Sequence, residues 1–157
     1  GLIDQGGKII PGENPDPALI QPDGSVYRIL LSQEEDIYLS QIDIRELQKA
    51  KGAIRAAIDV LMDQLKLGPE DLERVILTGS FGGEVDIDAI LDLGMIPPVK
   101  KEVVETVANG AGFGAAMFLT DEGFELGEKL AEKASQVDLD QDAHFYDFYI
   151  EGMKLAP

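Results

Sequence analysis

The chain has 157 residues, 45% of them apolar and 27% charged, a globular mixture with enough apolar material for one buried core. Thirteen Lys and Arg against thirty Asp and Glu leave a formal charge of −17, so nucleic acid and anionic membrane are repelled over most of the surface. The absence of cysteine, with His144 the single histidine, excludes disulfides, thiolate chemistry, Cys-ligated clusters and multi-histidine metal sites within these residues.

Gly1 to Gly7 reads as a helix end followed by a Gly-Gly turn, and the chain, which starts without Met, is expected to be a fragment of a longer protein. Apolar runs are short against the roughly 20 residues of a membrane helix, and no secretory leader opens the chain, so a soluble, cytoplasmic protein is expected. Residues 1–25 carry Pro11, Pro15, Pro17 and Pro22 and read as an irregular arm with at most short extended pieces. Residues 26–157 read as a single α/β domain. Asp23-Gly24 signals a turn into Val26 to Leu31, and Ile37-Tyr38-Leu39 follows as a paired strand.

From Asp43 the apolar period becomes helical, with Ile44, Leu47, Ala50, Ile54, Ile58, Leu61 and Leu65 along one face. Asp43 with Glu46 has capping-box spacing, Gly68 supplies the expected stop, and Pro69 opens a short helix to Leu72. Arg74 to Thr78 is a β-branched run of the kind buried on both faces. A helix is expected over Ile87 to Leu93, a strand over Glu102 to Val107, and a small-residue helix over Ala111 to Leu119. A charged helix over 121–135, a strand over Val137 to Leu139 and a terminal helix over Ala143 to Met153 complete the reading. Strands alternating with helices predict an α/β fold with a mainly parallel sheet flanked by helices.

Thr78-Gly79-Ser80-Phe81-Gly82-Gly83 carries the most chemistry. Three glycines past a buried strand let a ligand approach the backbone, at the strand end where open α/β sheets bind ligands. No Gly-Lys-Ser/Thr follows, the spacing is not the dinucleotide fingerprint, and Glu84 and Asp86 suit a purine and ribose better than phosphates. A tight connection is the plainer alternative. The Gly and Ala residues from Gly110 to Ala116 cost helix stability that close packing against another element usually offsets.

Arg74-Val75-Ile76-Leu77-Thr78-Gly79-Ser80-Phe81-Gly82 resembles the adenosine motif of the actin-like ATPase superfamily, which includes sugar kinases and heat-shock chaperones. Val107-Ala108-Asn109-Gly110-Ala111 resembles its last connecting helix. More narrowly, Asp43 to Ile58, with the run Leu47-Gln48-Lys49-Ala50-Lys51-Gly52-Ala53-Ile54-Arg55, resembles the C-terminal region of reductive activators of corrinoid proteins. The likeness runs from about Gly1 to Asn109 and more weakly beyond. It implies part of an actin-like, ribonuclease H-like lobe in a protein that uses ATP with Mg²⁺ to reduce the Co(II) corrinoid of a methyl-transfer protein to Co(I).

The family's [2Fe–2S] ferredoxin domain and its two Asp-Gly-Thr-rich phosphate hairpins have no counterpart in these residues. The resemblance therefore implies that this chain supplies the adenosine side of a nucleotide cleft and part of the surface that meets the corrinoid protein. It implies no firmly bound cofactor here, no catalytic residue and no metal ligand.

Gly79, Ser80 and Gly82, flanked by Thr78 and Gly83, are the leading adenosine contacts. The superfamily places a helix on the other side of the purine, which makes Gln48, Lys51 and Arg55 candidates; a solvated helix face is the alternative. Asn109 is a candidate whose plainer role is a helix cap. Glu34, Glu35 and Asp36, and Asp86, Asp88 and Asp92, read as turn and first-turn carboxylates rather than Mg²⁺ ligands. Phe145, Phe148 and Tyr149 are expected to dock the last helix on the sheet, with His144 partly exposed. The competing functions are another actin-like ATPase or small-molecule kinase, and a non-catalytic acidic interaction domain; a homodimer is compatible with each.

Overall fold

The computed structural model describes residues 2–12, 16, 18–79 and 85–155, apart from the side chain of Asp140. Three antiparallel strands come first, β1 (Ile20–Asp23), β2 (Val26–Ser32) and β3 (Ile37–Leu39), in the order β1-β2-β3. Asp23 pairs with Val26, and Gly24 takes the positive φ that the tight turn between them requires. A register shift between Leu30 and Ser32 ends regular pairing with β3.

Ile9, Ile20, Ile29 and Ile44 form a buried core, joined at its margin by Ile3, Tyr27, Leu39 and Leu155. The segment before Val26 therefore contributes Ile9 and Ile20 to the packing. Near its start, Ile3 and Ile9 form an antiparallel bridge around a turn at Gln5-Gly6, so a hairpin-like return stands where a helix end was expected. Gly7 must be glycine: its φ is +77, and a Cβ there would lie on the Gln48 side chain.

Helix α1 (Gln41–Leu65) starts three residues earlier than a cap at Asp43 implies, because Ser40 is the cap and Asp43 the third helical residue. The Asp43 N–H donates to Ser40 Oγ at 3.2 Å, and the Ser40 N–H donates to Asp43 Oδ2 at 2.8 Å. The helix ends on Lys66 in the left-handed region, φ 57, rather than at Gly68, which instead caps a single 3-10 turn over Pro69–Asp71.

The Ser40 hydroxyl, then its backbone N–H, holds the Asp43 carboxyl below its ordinary value. A carboxylate with a lowered folded pKa contributes stability that is complete above the unfolded pKa and is lost as pH falls through the folded one. Ser40→Ala should cost about 1 kcal/mol at neutral pH through loss of the hydroxyl cap. Urea melts should show the gap to wild type shrinking as pH falls below the ordinary carboxylate range and through the depressed Asp43 pKa; a gap that stays constant through acid unfolding would contradict this account of the cap.

The buried face of α1 is not the apolar stripe that periodicity selects. Ile44, Gln48, Lys51, Gly52, Ala56, Val60 and Met62 are buried, whereas Leu47, Ile54, Leu61 and Leu65 are exposed and Ile58 is half-buried. The buried side packs against α5 (Phe145–Gly152), so the terminal helix docks on α1 rather than on a sheet. A Cβ on Gly52 would lie 2.7 Å from Met153 Cγ and 3.2 Å from Tyr149 O. One on Gly152 would lie 3.1 Å from Arg55 Cβ and 3.1 Å from Gly52 O. Two glycines facing each other let the helices approach closely, and this contact decides which face of α1 is covered.

Strands β4 (Val75–Gly79) and β5 (Val104–Ala108) form a separate parallel pair, with α2 (Ile87–Asp92) in the connection between them. Helices α3 (Gly110–Met117) and α4 (Asp121–Lys133) follow. The fold is α/β with a parallel sheet and flanking helices. Val137 to Leu139 forms no strand; a 3-10 turn over Leu139–Gln141 stands at its end. A three-residue apolar run without a neighbouring strand has no ladder to join. Among the described residues, no helix is long and apolar enough to cross a membrane.

Candidate functional site

The carboxyl ends of β4 and β5 lie side by side, with Thr78 opposite Val107 and Gly79 opposite Ala108. At the other end of the pair, Arg74 closes a bidentate bond to Glu105 across the strands, 3.1 and 2.7 Å. The parallel ladder between these ends sets the register that brings Thr78 and Asn109 together. The Asn109 N–H donates to Gly79 O at 3.2 Å and the Gly110 N–H to Thr78 Oγ1 at 2.9 Å. Asn109 sits in the left-handed region, φ 50, and its Oδ1 accepts from the Gly112 N–H at 3.2 Å. It is thus the cap of α3, the plainer of its two expected roles.

Gly79 leaves the strand at φ +125, a conformation reserved for glycine, and a Cβ built on it meets no atom within 4 Å. Thr78, Gly79 and Asn109 are all exposed. An open glycine backbone at the carboxyl end of a parallel pair is a surface on which a flat ligand can rest. Thr78 and Asn109 already occupy two of the first-turn N–H donors of α3, so this end reads as a rest for a neutral group and not as a phosphate cradle. Ser80, Gly82 and Gly83, with Phe81, lie outside the described residues.

Gln48, Lys51 and Arg55 belong to a different constellation. None of them hydrogen-bonds to β4, β5 or α3 among the described residues; their polar ends meet the C-terminal segment and the loop after α2. Gln48, 2% exposed, donates to Met153 O at 2.9 Å and accepts from Arg45 at 2.8 Å. Lys51, 1% exposed, donates to Gly152 O at 2.5 Å and Lys154 O at 2.6 Å. Arg55 Nε donates to both oxygens of Asp59 at 3.0 and 2.9 Å, and Nη1 to Ile96 O at 3.2 Å. The solvated-face alternative is therefore wrong for Gln48 and Lys51.

Burial, and then the neighbouring Arg55 charge, pushes the Lys51 ammonium below its ordinary pKa. Lys51 and Arg55 line a cleft of about 330 Å³ with Asp59, Gly94, Glu151 and Lys154. Sequence reading does not find this cleft. Its one sequence signal is a lysine beside a glycine, Lys51-Gly52, at a helix position whose neighbours are apolar.

Asp36, Asp86 and Asp88 fall at turn or first-turn positions, whereas Asp92 is the last residue of α2. Asp86 caps α2 by accepting from Asp88 and Ala89, Asp88 pairs with Lys101, and Asp36 takes a turn conformation with the Tyr38 hydroxyl donating to it. No group of three or more potential metal-ligating side chains forms among the described residues. The glycines of α3 do not buy close packing as expected. Only Gly110, against Thr78, and Gly112, against its own cap Asn109, have near neighbours, and α3 buries none of its residues.

A family model described as the C-terminal domain of RACo, the ASKHA domain, matches residues 1–157. The chain is 28% identical over 117 residues to a protein named corrinoid activation enzyme RamQ from Eubacterium limosum, covering 74% of this chain and 20% of that protein. It is 36% identical over 69 residues to [Co(II) methylated amine-specific corrinoid protein] reductase from Methanosarcina barkeri, covering 44% of this chain and 13% of that protein. The chain thus spans a fifth or less of the length of these relatives.

Proposed function

The chain belongs to the family of C-terminal RACo domains, the ASKHA domain, and from that premise we propose that it forms the adenosine-facing part of an ATP-dependent reductive activator of a corrinoid methyl-transfer protein. The observation that carries the reading is the open end of β4, where Gly79 presents bare backbone beside Thr78 and the Asn109 cap. The relatives' names, a corrinoid activation enzyme and a Co(II) corrinoid protein reductase, support the reaction class. In this reading ATP supplies the free energy that drives an electron onto Co(II) to give Co(I).

The residues fit a flat neutral group such as adenosine, because the space a Cβ would fill at Gly79 is empty. Thr78 and Gly79 would support the flat face of the purine through backbone. Asn109 would fix the β5-to-α3 corner against which the ligand is positioned, and Ser80, Gly82 and Gly83, outside the described residues, stay candidate contacts by sequence. Gln48 and Lys51 are left out of this assignment, since the carbonyls of the C-terminal segment take the Gln48 amide and two of the three Lys51 N–H groups. Arg55 is also left out, because its guanidinium faces Asp59 and Ile96 O. The electron carrier and the phosphate-binding hairpins belong to residues other than these.

Titration of this chain with Mg-ATP tests the assignment. A polyanion meets a chain of −17, and adenosine contacts alone must offset an association cost of several kcal/mol or more. Weak binding is expected, with amide shifts at Thr78, Gly79, Asn109 and Gly110 and no phosphate release. Shifts confined to other residues, a low-micromolar dissociation constant, or measurable hydrolysis would contradict the placement of the site.

A further inference from the structure

The cleft between α1 and the C-terminal segment reverses the sign of the molecule. In a chain of −17, its lining carries Lys51, Arg55 and Lys154 against Asp59 and Glu151. The two carboxylates are already matched, Asp59 by Arg55 at 2.9 Å and Glu151 by Lys154 at 2.5 Å. Lys51 makes no ion pair among the described residues, yet the residue as a whole is 1% exposed. A buried charge without a counterion is costly unless something compensates it.

The carbonyls at the C-terminus of α5 compensate part of that charge, as a cation does at any helix C-terminus, but the partial charge there amounts to roughly half a unit. A net positive field remains in a cleft of about 330 Å³, at the small end of the range for small-molecule sites. Arg55 keeps its Nη2 edge without a hydrogen bond among the described residues, and Lys154 stands exposed at the rim. Gly94, in a positive-φ turn, closes the far wall without a side chain, so that a Cβ there would come within 3.9 Å of Lys51 Nζ.

We propose that this cleft binds a small oxyanion, the phosphate or carboxylate of a small molecule, held by the Arg55 edge and Lys154 over the unpaired charge of Lys51. The proposal stands on the cleft alone and does not depend on the adenosine assignment at Gly79.

The test is a titration of the isotopically labelled chain with inorganic phosphate, ionic strength held constant with sodium chloride. Saturable amide shifts at Gly94, Gly152 and Lys154 are expected, and a parallel titration with acetate separates phosphate from carboxylate preference, saturation by either supporting the oxyanion site. Lys154→Met removes an exposed charge without disturbing the helix contact and should weaken binding by about fivefold, the equivalent of about 1 kcal/mol. Lys51→Met, where it folds, should abolish it. No saturable shift with either anion, or an unchanged affinity in Lys154→Met, would overturn the proposal.

Discussion

Gly52→Val is expected to lower the thermal midpoint by roughly 6–12 °C, the counterpart of about 3 kcal/mol in a chain of this length. Intrinsic propensity argues the other way, because a mid-helix glycine is the less favourable residue by a few tenths of a kcal/mol or more. Sterics win here. The first carbon of any side chain would stand 2.7 Å from Met153 Cγ, which can move, but also 3.2 Å from Met153 N and Tyr149 O, which are backbone and move only with α5. A branched side chain adds two further carbons in the same space. The substitution should also expose α5 to hydrogen exchange, since Lys51 and Gln48 lose their carbonyl partners once the helices part. Gly114→Ala is the control: no atom lies within 4 Å of its Cβ, so the same kind of change should stabilise by up to about 1 kcal/mol. Equal midpoints for Gly52→Val and wild type would mean that α1 and α5 do not touch as described.

The second large effect concerns the ligand. Gly79→Val in the protein that carries this chain should weaken ATP binding by about tenfold or more, because an isopropyl group would occupy the open space where the proposed site would seat the purine. The variant also pays for its backbone. At φ +125 any residue with a Cβ is strained, at a cost on the order of 1–3 kcal/mol, so the fold must be checked beside the affinity. The strain acts at the exposed tip of β4, at its last ladder pair with Ala108, where local loosening is compatible with an intact core. Calorimetry on a variant with wild-type circular dichroism separates the two effects. Unchanged affinity in such a variant would move the adenosine site away from β4.

Local signals in the sequence were enough to locate most elements. The β-branched run ending in Thr78-Gly79 speaks through strand composition and the turn at Asp23-Gly24 through its own short hairpin, and the structure has them as strand end and hairpin. The long helix was legible from its period, but its buried face was not. Periodicity measures which residues could be covered, and Leu47, Ile54, Leu61 and Leu65 are the apolar choice. The actual partner is α5, some hundred positions along the chain, and it selects Gly52 for closeness and Gln48 and Lys51 for its terminal carbonyls. Nothing local to α1 announces carbonyl groups so distant in sequence. The cap was misplaced for a related reason: Asp43 does take part in a capping box, but as the third helical residue, because Ser40 offers a hydroxyl one turn earlier.

The candidate site divides the same way. Gly79 and Asn109 were legible because positive φ and strand-to-helix corners demand particular residues. The cleft at Lys51 was not, because its walls come from α1, the loop after α2 and the C-terminal segment, which only the tertiary fold assembles.

The most direct test of the central claim is the Co(II)-to-Co(I) reduction of a corrinoid methyl-transfer protein, followed by absorbance, with the full protein carrying this chain and a constant supply of low-potential electrons. Reduction should require Mg-ATP, and Gly79→Val should need correspondingly more ATP for the same rate. Reduction that proceeds equally without ATP, or a folded Gly79→Val protein with an unaltered ATP requirement, would contradict the account.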